Sequence, residues 1–390
     1  MQASQRIQSL TVSGDDGWGL FHRAREMMAE GIDVLELTIG EHDIKTDPRI
    51  LDEMHRSALD GATGYAVVPG LPELRQAIAD RVTAQTGVPT TPDNVMVTPG
   101  GQAALFVTHH ATCDEGDRAL YIDPYYATYP GTIRSVGAVD VAVPARAEDA
   151  FQPNRAALQA AAPGAKSLLI NSPNNPTGVV YTADTMNMIA DVTKENDLWL
   201  ISDEVYDTQV WDGAHLSPRT LPGMLERTLV IGSLSKSHAM TGSRLGWIVG
   251  PEEMIEHAIH LATHTTFGVP AFVQYAGIYG LGLGPEFEGK IGAPFRRRLG
   301  LAEDMVAKQQ VVHLIPAKGA MYAMLDIRAT GHTGTSFAEA LLAEEFIAVM
   351  PGESFGRAAA GHLRVALTLP DPEFVDAFSR LLAFAGRQAA

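Results

Sequence analysis

A lysine flanked by hydroxyl residues and an arginine forms the most reactive-looking segment of the chain. Lys236 follows Ser233 and Ser235, and Arg244 comes soon after. A lysine kept from water near other cations loses part of its usual pKa of about 10.4 and can attack carbonyl groups. Serine and arginine side chains are suited to binding phosphate. The segment therefore predicts a lysine nucleophile beside an anion site.

Three other segments carry polar groups that could serve the same site. Asp203 follows an apolar run; a buried carboxylate there needs a partner such as a cationic ring nitrogen, unless it caps the next helix. Asn175 lies in a proline-rich loop, which either directs its amide or is only structural. Gly100 and Gly101 precede a helical pattern, which favours a phosphate at the helix start or forms a plain tight turn.

These segments follow short apolar runs that predict buried strands. Runs without polar alternation are typical of strands covered on both faces, and helical patterns separate several of them. The sequence thus predicts an α/β fold with a mostly parallel sheet and ligands at the strands' carboxyl ends. A glycine-rich stretch at 280–285 predicts a domain boundary. The runs span residues 95–97, 119–122, 167–170, 198–201, 228–231 and 247–249.

The composition argues against several function classes. The 390 residues include 29 Lys and Arg against 46 Asp and Glu, a net charge of −17 that does not suit nucleic acid. Cys113 is the only cysteine, so we expect no intrachain disulfide, no metal and a reducing cytoplasm. No apolar run approaches the roughly 20 residues of a membrane span.

Taken in order, the motifs resemble those of the class I and II aminotransferases, which are fold-type-I pyridoxal-phosphate (PLP) enzymes. The likeness rests on Asn-Asn-Pro-Thr-Gly at 174–178, Asp-Glu-Val-Tyr at 203–206, Ser-Leu-Ser-Lys at 233–236 and Met-Thr-Gly-Ser-Arg at 240–244. It implies a large PLP-binding domain of residues 46–285, a small α+β domain of 1–45 plus 286–390, and a homodimer with shared sites. The stretch 201–247 is similar to a subgroup that includes arginine:pyruvate transaminases.

The resemblance also implies an activity and roles for individual residues. An amino group would pass from an L-amino acid to a 2-oxo acid by a ping-pong mechanism, with Lys236 as Schiff-base anchor and general base. Asp203 would pair with the pyridine nitrogen, and Tyr206 and Asn175 would bind the cofactor's phenolic oxygen. Tyr126 would stack on the cofactor ring. The phosphate would be bound by Gly101, Gln102, Ser233, Arg244 and the neighbouring subunit's Tyr65. The substrate would be bound by Arg364, Asn175 and Gly40.

One departure from the family pattern bears on substrate choice. Relatives often have Gly-Glu-Pro-Asp where this chain has Gly-Glu-His-Asp at 40–43. We hypothesise that Glu41 or Asp43 pairs with a basic substrate side chain.

Three alternatives remain to be weighed. A PLP-dependent β-lyase would use the same anchoring residues, and a PLP-binding regulator would need a DNA-binding segment that the sequence does not suggest. Gly352–Gly356 matches the G-x-S-x-G pattern of a hydrolase, but too few residues follow it to complete a catalytic triad.

Overall fold

Two β-sheets organise the chain, for which the computed structural model describes residues 1–11 and 18–389. The strands are β1 (Leu35–Leu37), β2 (Val95–Thr98), β3 (Arg118–Asp123), β4 (Val139–Pro144), β5 (Ala165–Asn171), β6 (Trp199–Asp203), β7 (Thr228–Ser233), β8 (Gly246–Val249), β9 (His313–Leu314), β10 (Tyr322–Asp326), β11 (Ile347–Pro351) and β12 (His362–Ala366).

Helices cover and connect these strands. They are α1 (Gln5–Gln8), α2 (Gly19–Ala29), α3 (Pro48–Leu59), α4 (Pro72–Thr86), α5 (Gly101–Thr112), α6 (Tyr129–Ser135), α7 (Arg155–Ala161), α8 (Ala183–Glu195), α9 (Leu234–Ser237), α10 (Glu252–Thr263), α11 (Ala271–Gly282), α12 (Gly284–Val306), α13 (Gly334–Glu345) and α14 (Asp371–Gln388). In the described part of the chain, no helix is both long and apolar enough to cross a membrane.

The larger sheet has seven strands in the order β2-β8-β7-β6-β5-β3-β4, and only β8 runs antiparallel to its neighbours. All six apolar runs are strands of this sheet, which confirms the predicted mostly parallel α/β fold. Strand β7 is buried along its whole length, as expected of a strand covered on both faces. The sequence pattern missed β4, because it lies at the sheet edge and only its Val143 is buried.

The smaller sheet joins the two ends of the chain. Its order is β1-β11-β12-β10-β9, in which β1 pairs parallel with β11 and the other pairs are antiparallel. Strand β12 lies at the centre and is buried throughout. Its Leu363 and Val365 belong to the same hydrophobic core as Phe337, Phe374, Phe378 and Phe384, all fully buried.

The predicted domain division stays a prediction, although the two sheets draw on the corresponding segments. The strands of the larger sheet lie between residues 95 and 249, and those of the smaller sheet are β1 and β9–β12. The boundary at 285 falls at the start of α12, next to Pro285 in the first helical turn. Residues 12–17 and 390 of the predicted small domain lie outside the described residues.

Candidate active site

The carboxyl ends of three central strands supply neighbouring polar groups. Asn171, Asp203 and Ser233 are the last residues of β5, β6 and β7, and Asn171 is in register with Asp203. The Asn171 side chain donates to the Asp203 carbonyl oxygen at 2.9 Å and accepts from the Asn175 amide at 2.8 Å. The Asn171 side chain thus holds the loop containing Asn175 against β6, the strand that carries the Asp203 carboxylate.

A cavity of about 410 Å³ opens at this edge, and nearly all the predicted site residues line it. Tyr65 is the exception: it is 93% exposed, packs edge-on against Phe267 and does not reach this cavity. The predicted residues that do line the cavity are Gly40, Gly101, Gln102, Tyr126, Asn175, Asp203, Tyr206, Ser233, Lys236, Arg244 and Arg364.

Lys236 lies on α9, a single helical turn that directly follows β7. Ser233 caps this turn by accepting from the Ser235 amide at 3.0 Å. The Lys236 Nζ donates to the carbonyl oxygen of Gly40 at 2.5 Å. Burial lowers the pKa of Lys236, and the nearby Arg364 guanidinium lowers it further. The environment therefore favours the neutral, nucleophilic amine.

Asp203 is a buried carboxylate whose hydrogen-bond donors in residues 1–11 and 18–389 are all neutral. Tyr129 donates its hydroxyl to Oδ2 at 2.7 Å, and the Val205 amide donates to Oδ1 at 3.3 Å. Burial raises the pKa of Asp203 to about 6. Residues 205–208 form a turn, so the alternative that Asp203 caps a following helix is wrong. A cation in the cavity would stabilise its ionised form.

Arg364 comes from the centre of the smaller sheet and is fully buried. Its guanidinium donates to Asn175 Oδ1 at 3.0 Å and to the carbonyl oxygen of Thr38. The group is stacked between two aromatic rings, 4.6 Å from the Tyr322 centroid and 4.3 Å from that of Phe355. Burial lowers its pKa, and within the described chain its Nε has no hydrogen-bond partner.

Two glycines and an arginine surround the start of α5. Gly101 opens that helix, whose first amides are free to bind an anion. A Cβ on Gly246 would lie 2.7 Å from the Gly100 carbonyl carbon, so only glycine allows this close approach. Arg244 lies in the left-handed region and donates to the Thr241 carbonyl oxygen at 2.9 Å. The geometry suits a phosphate.

The Gln102 side chain is held by hydrogen bonds next to the start of α5. Its Nε2 donates to Thr132 Oγ1 at 2.7 Å, and its Oε1 accepts from the Thr128 hydroxyl at 2.9 Å. These bonds use one of the two Nε2 hydrogens, so the second one and the backbone amide in the first turn of α5 remain as groups for an anion.

The segment at 40–43 divides into three environments. Asp43 is bound by Arg298, with Nη2–Oδ2 at 2.6 Å and Nη1–Oδ1 at 3.1 Å. His42 contacts the Lys236 carbonyl oxygen through Nε2 at 2.9 Å, and burial lowers its pKa to about 4. Glu41 lines the cavity and accepts from the Thr241 hydroxyl at 3.3 Å. Asp43 is therefore committed to the protein, whereas Glu41 faces the ligand space.

Sequence reasoning missed Tyr322, the first residue of β10. Its hydroxyl lies 3.1 Å from the Tyr206 hydroxyl and 3.5 Å from Asn175 Nδ2. A side chain at Gly40 would overlap this hydroxyl, which explains why Gly40 suits its place. An aromatic residue in an apolar strand pattern indicates core, so no local signal marked it.

The cavity brings together acidic and basic groups that do not form ion pairs with one another. In residues 1–11 and 18–389, Lys236, Asp203 and Arg364 form hydrogen bonds but no ion pairs. Buried charges without partners are costly, so ligand groups of opposite sign are expected beside them. The same ranges contain no group of three or more His, Cys, Asp or Glu residues placed to hold a metal.

Comparison with known proteins places the chain in a family. Residues 32–381 match the model of aminotransferase class I and II. The chain belongs to this aminotransferase family.

Individual relatives and solved structures agree with this family assignment. The chain is 37% identical over 371 residues to an arginine–pyruvate transaminase of Pseudomonas aeruginosa, covering 95% of this chain and 94% of the relative. It is 33% identical to the aspartate/prephenate aminotransferase of Thermus thermophilus, with coverage of 98% and 99%. A solved Thermus thermophilus aspartate aminotransferase superposes with a TM-score of 0.92 at 31% identity, covering 98% and 100% of the two chains.

These likenesses confirm the predicted fold and reaction class. The aminotransferase has the fold-type-I architecture, and its family consists of PLP enzymes. The comparison gives the β-lyase alternative no support.

Proposed function

We propose that this aminotransferase binds pyridoxal 5′-phosphate in the 410 Å³ cavity and exchanges an amino group between an L-amino acid and a 2-oxo acid. The observation that carries the proposal is the convergence of a partly buried lysine, a buried carboxylate and a buried arginine without ion-pair partners in the described chain. PLP supplies an aldehyde for amine attachment and a protonated ring that accepts electrons.

The residues that line the cavity match the separate parts of this cofactor. Lys236 would hold it through Nζ, and Asp203 would ionise against the ring nitrogen, which relieves the cost of its burial. Tyr206 and Asn175 would donate to the phenolic oxygen, and Tyr126 would pack against the ring. Gly101, the Gln102 backbone, Ser233 and Arg244 would hold the phosphate.

Arg364 and Lys236 would act on the substrates. The Arg364 fork would bind the α-carboxylate and orient the Cα–H bond, next to Gly40. The Lys236 Nζ would take the α-proton from the donor in the first half-reaction. In the second, it would return a proton to the α-carbon of the product. Its lowered pKa favours the neutral amine that this requires.

A half-reaction assay tests this function. The holoenzyme is mixed with single amino acids and the absorbance of its cofactor is followed, and 2-oxo acids are then added to restore it. We expect Lys236→Ala to abolish the cycle, whereas Lys318→Ala, which removes an exposed lysine paired with Asp212, leaves it intact. Normal cycling in Lys236→Ala would refute the proposed mechanism.

We further propose that the amino donor carries a cationic side chain. Glu41 lines the cavity, while Asp43 is neutralised by Arg298. The relative from Pseudomonas aeruginosa is named for arginine and pyruvate. These two observations support arginine or lysine as donor and pyruvate as acceptor.

Glu41→Gln tests the donor preference. We expect the KM for arginine and lysine to rise about 10-fold, equivalent to about 1.4 kcal/mol, while the KM for alanine changes little. Glu226→Gln, remote from the cavity, is the control. Equal effects on all donors, or no turnover of basic donors by the unaltered enzyme, would reject this preference without affecting the aminotransferase assignment.

We also propose a homodimer in the cytoplasm. Tyr65 is 93% exposed beside Phe267, which is 49% exposed, an aromatic pair suited to a partner surface. The family resemblance assigns Tyr65 to the phosphate of the neighbouring subunit. The single cysteine, Cys113, supports a reducing compartment.

A further inference from the structure

The Tyr322 hydroxyl lies at the junction of groups from both sheets. It is buried and lies between Tyr206 and Asn175, at 3.1 and 3.5 Å. The Arg364 guanidinium packs against the face of the Tyr322 ring, 4.6 Å from the ring centroid. No role in the proposed function uses this hydroxyl.

The directions of the first two hydrogen bonds follow from chemistry. Arg364 has only donors, so the Asn175 group that it contacts at 3.0 Å must be Oδ1. The amide nitrogen of Asn175 then faces Tyr322 and donates to its oxygen. The Tyr322 and Tyr206 hydroxyls are 3.1 Å apart, a distance at which either can donate; the proton of this bond is assigned to Tyr322, whose oxygen already accepts from Asn175. The chain therefore runs from Arg364 through Asn175 and Tyr322 to Tyr206.

In this arrangement Tyr206, the last member of the chain, accepts from Tyr322. Its own O–H is then available to donate into the cavity, which Tyr206 lines. Burial raises the pKa of Tyr206, so it stays protonated over the working pH range. A hydroxyl that accepts one hydrogen bond becomes a better donor in the next.

We propose that Tyr322 is a positioning residue of this aminotransferase, whose hydroxyl turns the Tyr206 proton toward the ligand and links it to the carboxylate-binding Arg364. The inference rests on the proposed function in requiring PLP in the cavity. Phenylalanine is common at apolar strand positions and would keep the ring beneath Arg364, but it would interrupt the chain.

Three variants test this chain of hydrogen bonds: Tyr322→Phe, Tyr206→Phe and the double variant. The readout is the pH midpoint of the visible absorbance change of the bound cofactor, together with the melting temperature. We expect Tyr322→Phe to move the midpoint by about 0.5 pH unit in the same direction as Tyr206→Phe. The double variant should shift no further than Tyr206→Phe alone, because Tyr322 acts through Tyr206.

Tyr181→Phe, a buried tyrosine outside the cavity, is the matched control and should leave the midpoint unchanged. An unmoved midpoint in Tyr322→Phe, or shifts that add in full in the double variant, would overturn the inference alone. Failure of the unaltered chain to bind PLP would overturn it together with the proposed function.

Discussion

At the scale of single residues, the site is a set of ionisable groups held in unfavourable surroundings. Asp203 and Arg364 are buried and Lys236 is partly buried. Loss of water contact raises the pKa of Asp203 and lowers the pKa of Lys236 and Arg364, so it favours the neutral form of each. Folding therefore places these groups at a cost that ligands of opposite charge can offset. This is the usual compromise between stability and activity at a catalytic site.

Asp203 allows that cost to be measured in the cofactor-free protein. Its folded pKa, about 6, exceeds the unfolded value of 3.8, so the folded state binds more protons between those pH values. The free energy of unfolding therefore falls as pH rises from about 4 to 6 and stays reduced above.

Asp203→Asn should remove this penalty. At pH 8 we expect the cofactor-free variant to be about 1–3 kcal/mol more stable than the unaltered chain, with the difference vanishing near pH 4. Urea unfolding at both pH values measures it. With PLP added, the same variant should lose about 100-fold or more in turnover. If the stability of Asp203→Asn relative to the unaltered chain were lower at pH 8 than at pH 4, burial of Asp203 would not be destabilising the folded protein.

At the scale of elements, one arginine joins three segments behind the cavity. Arg298 of α12 is 3% exposed and binds Asp43 of the loop after β1, Asp371 at the start of α14 and the Leu367 carbonyl oxygen. This cluster fixes the loop whose Gly40 carbonyl oxygen accepts from Lys236. It explains why the second acidic residue of the 40–43 segment serves structure rather than substrate.

Asp43→Asn tests this structural role. Loss of the two-pronged contact with a buried arginine should lower the free energy of unfolding by about 1–3 kcal/mol. Asp212→Asn removes an exposed pair with Lys318 and should leave the free energy of unfolding nearly unchanged. Denaturant titration compares the two. A selective rise in KM for basic donors in Asp43→Asn, with stability unchanged, would show that Asp43 contacts substrate instead.

At the scale of the whole molecule, Tyr65 stands apart from the cavity of its own chain. It belongs to a surface with Phe267, and the edge-on contact of the two rings leaves both substantially exposed. If two copies exchange this residue, each site contains groups from both subunits. The assembly then becomes part of the catalytic unit.

Mixing two inactive variants tests the shared site. Lys236→Ala and Tyr65→Ala chains, unfolded together in equal amounts and refolded with PLP, should form mixed dimers with one intact site each. Activity should reach about a quarter of that of the unaltered enzyme if pairing is random. Lys236→Ala mixed with Lys236→Ala/Tyr65→Ala is the control and should stay inactive. No recovery in refolded mixed dimers would place Tyr65 outside the neighbouring site.

The sequence alone determined the sheet and most of the cavity lining. Buried strands are continuous apolar runs, and the residues after them meet at one sheet edge, so Asn175, Asp203 and Lys236 could be grouped without coordinates. Tertiary structure alone decided the place of Tyr322, the pairing of Asp43 with Arg298 and the exposure of Glu41. An aromatic residue in a strand has the same pattern in a core as in a site. An ion pair between residues 43 and 298 depends on how distant segments pack, and no local spacing encodes that contact.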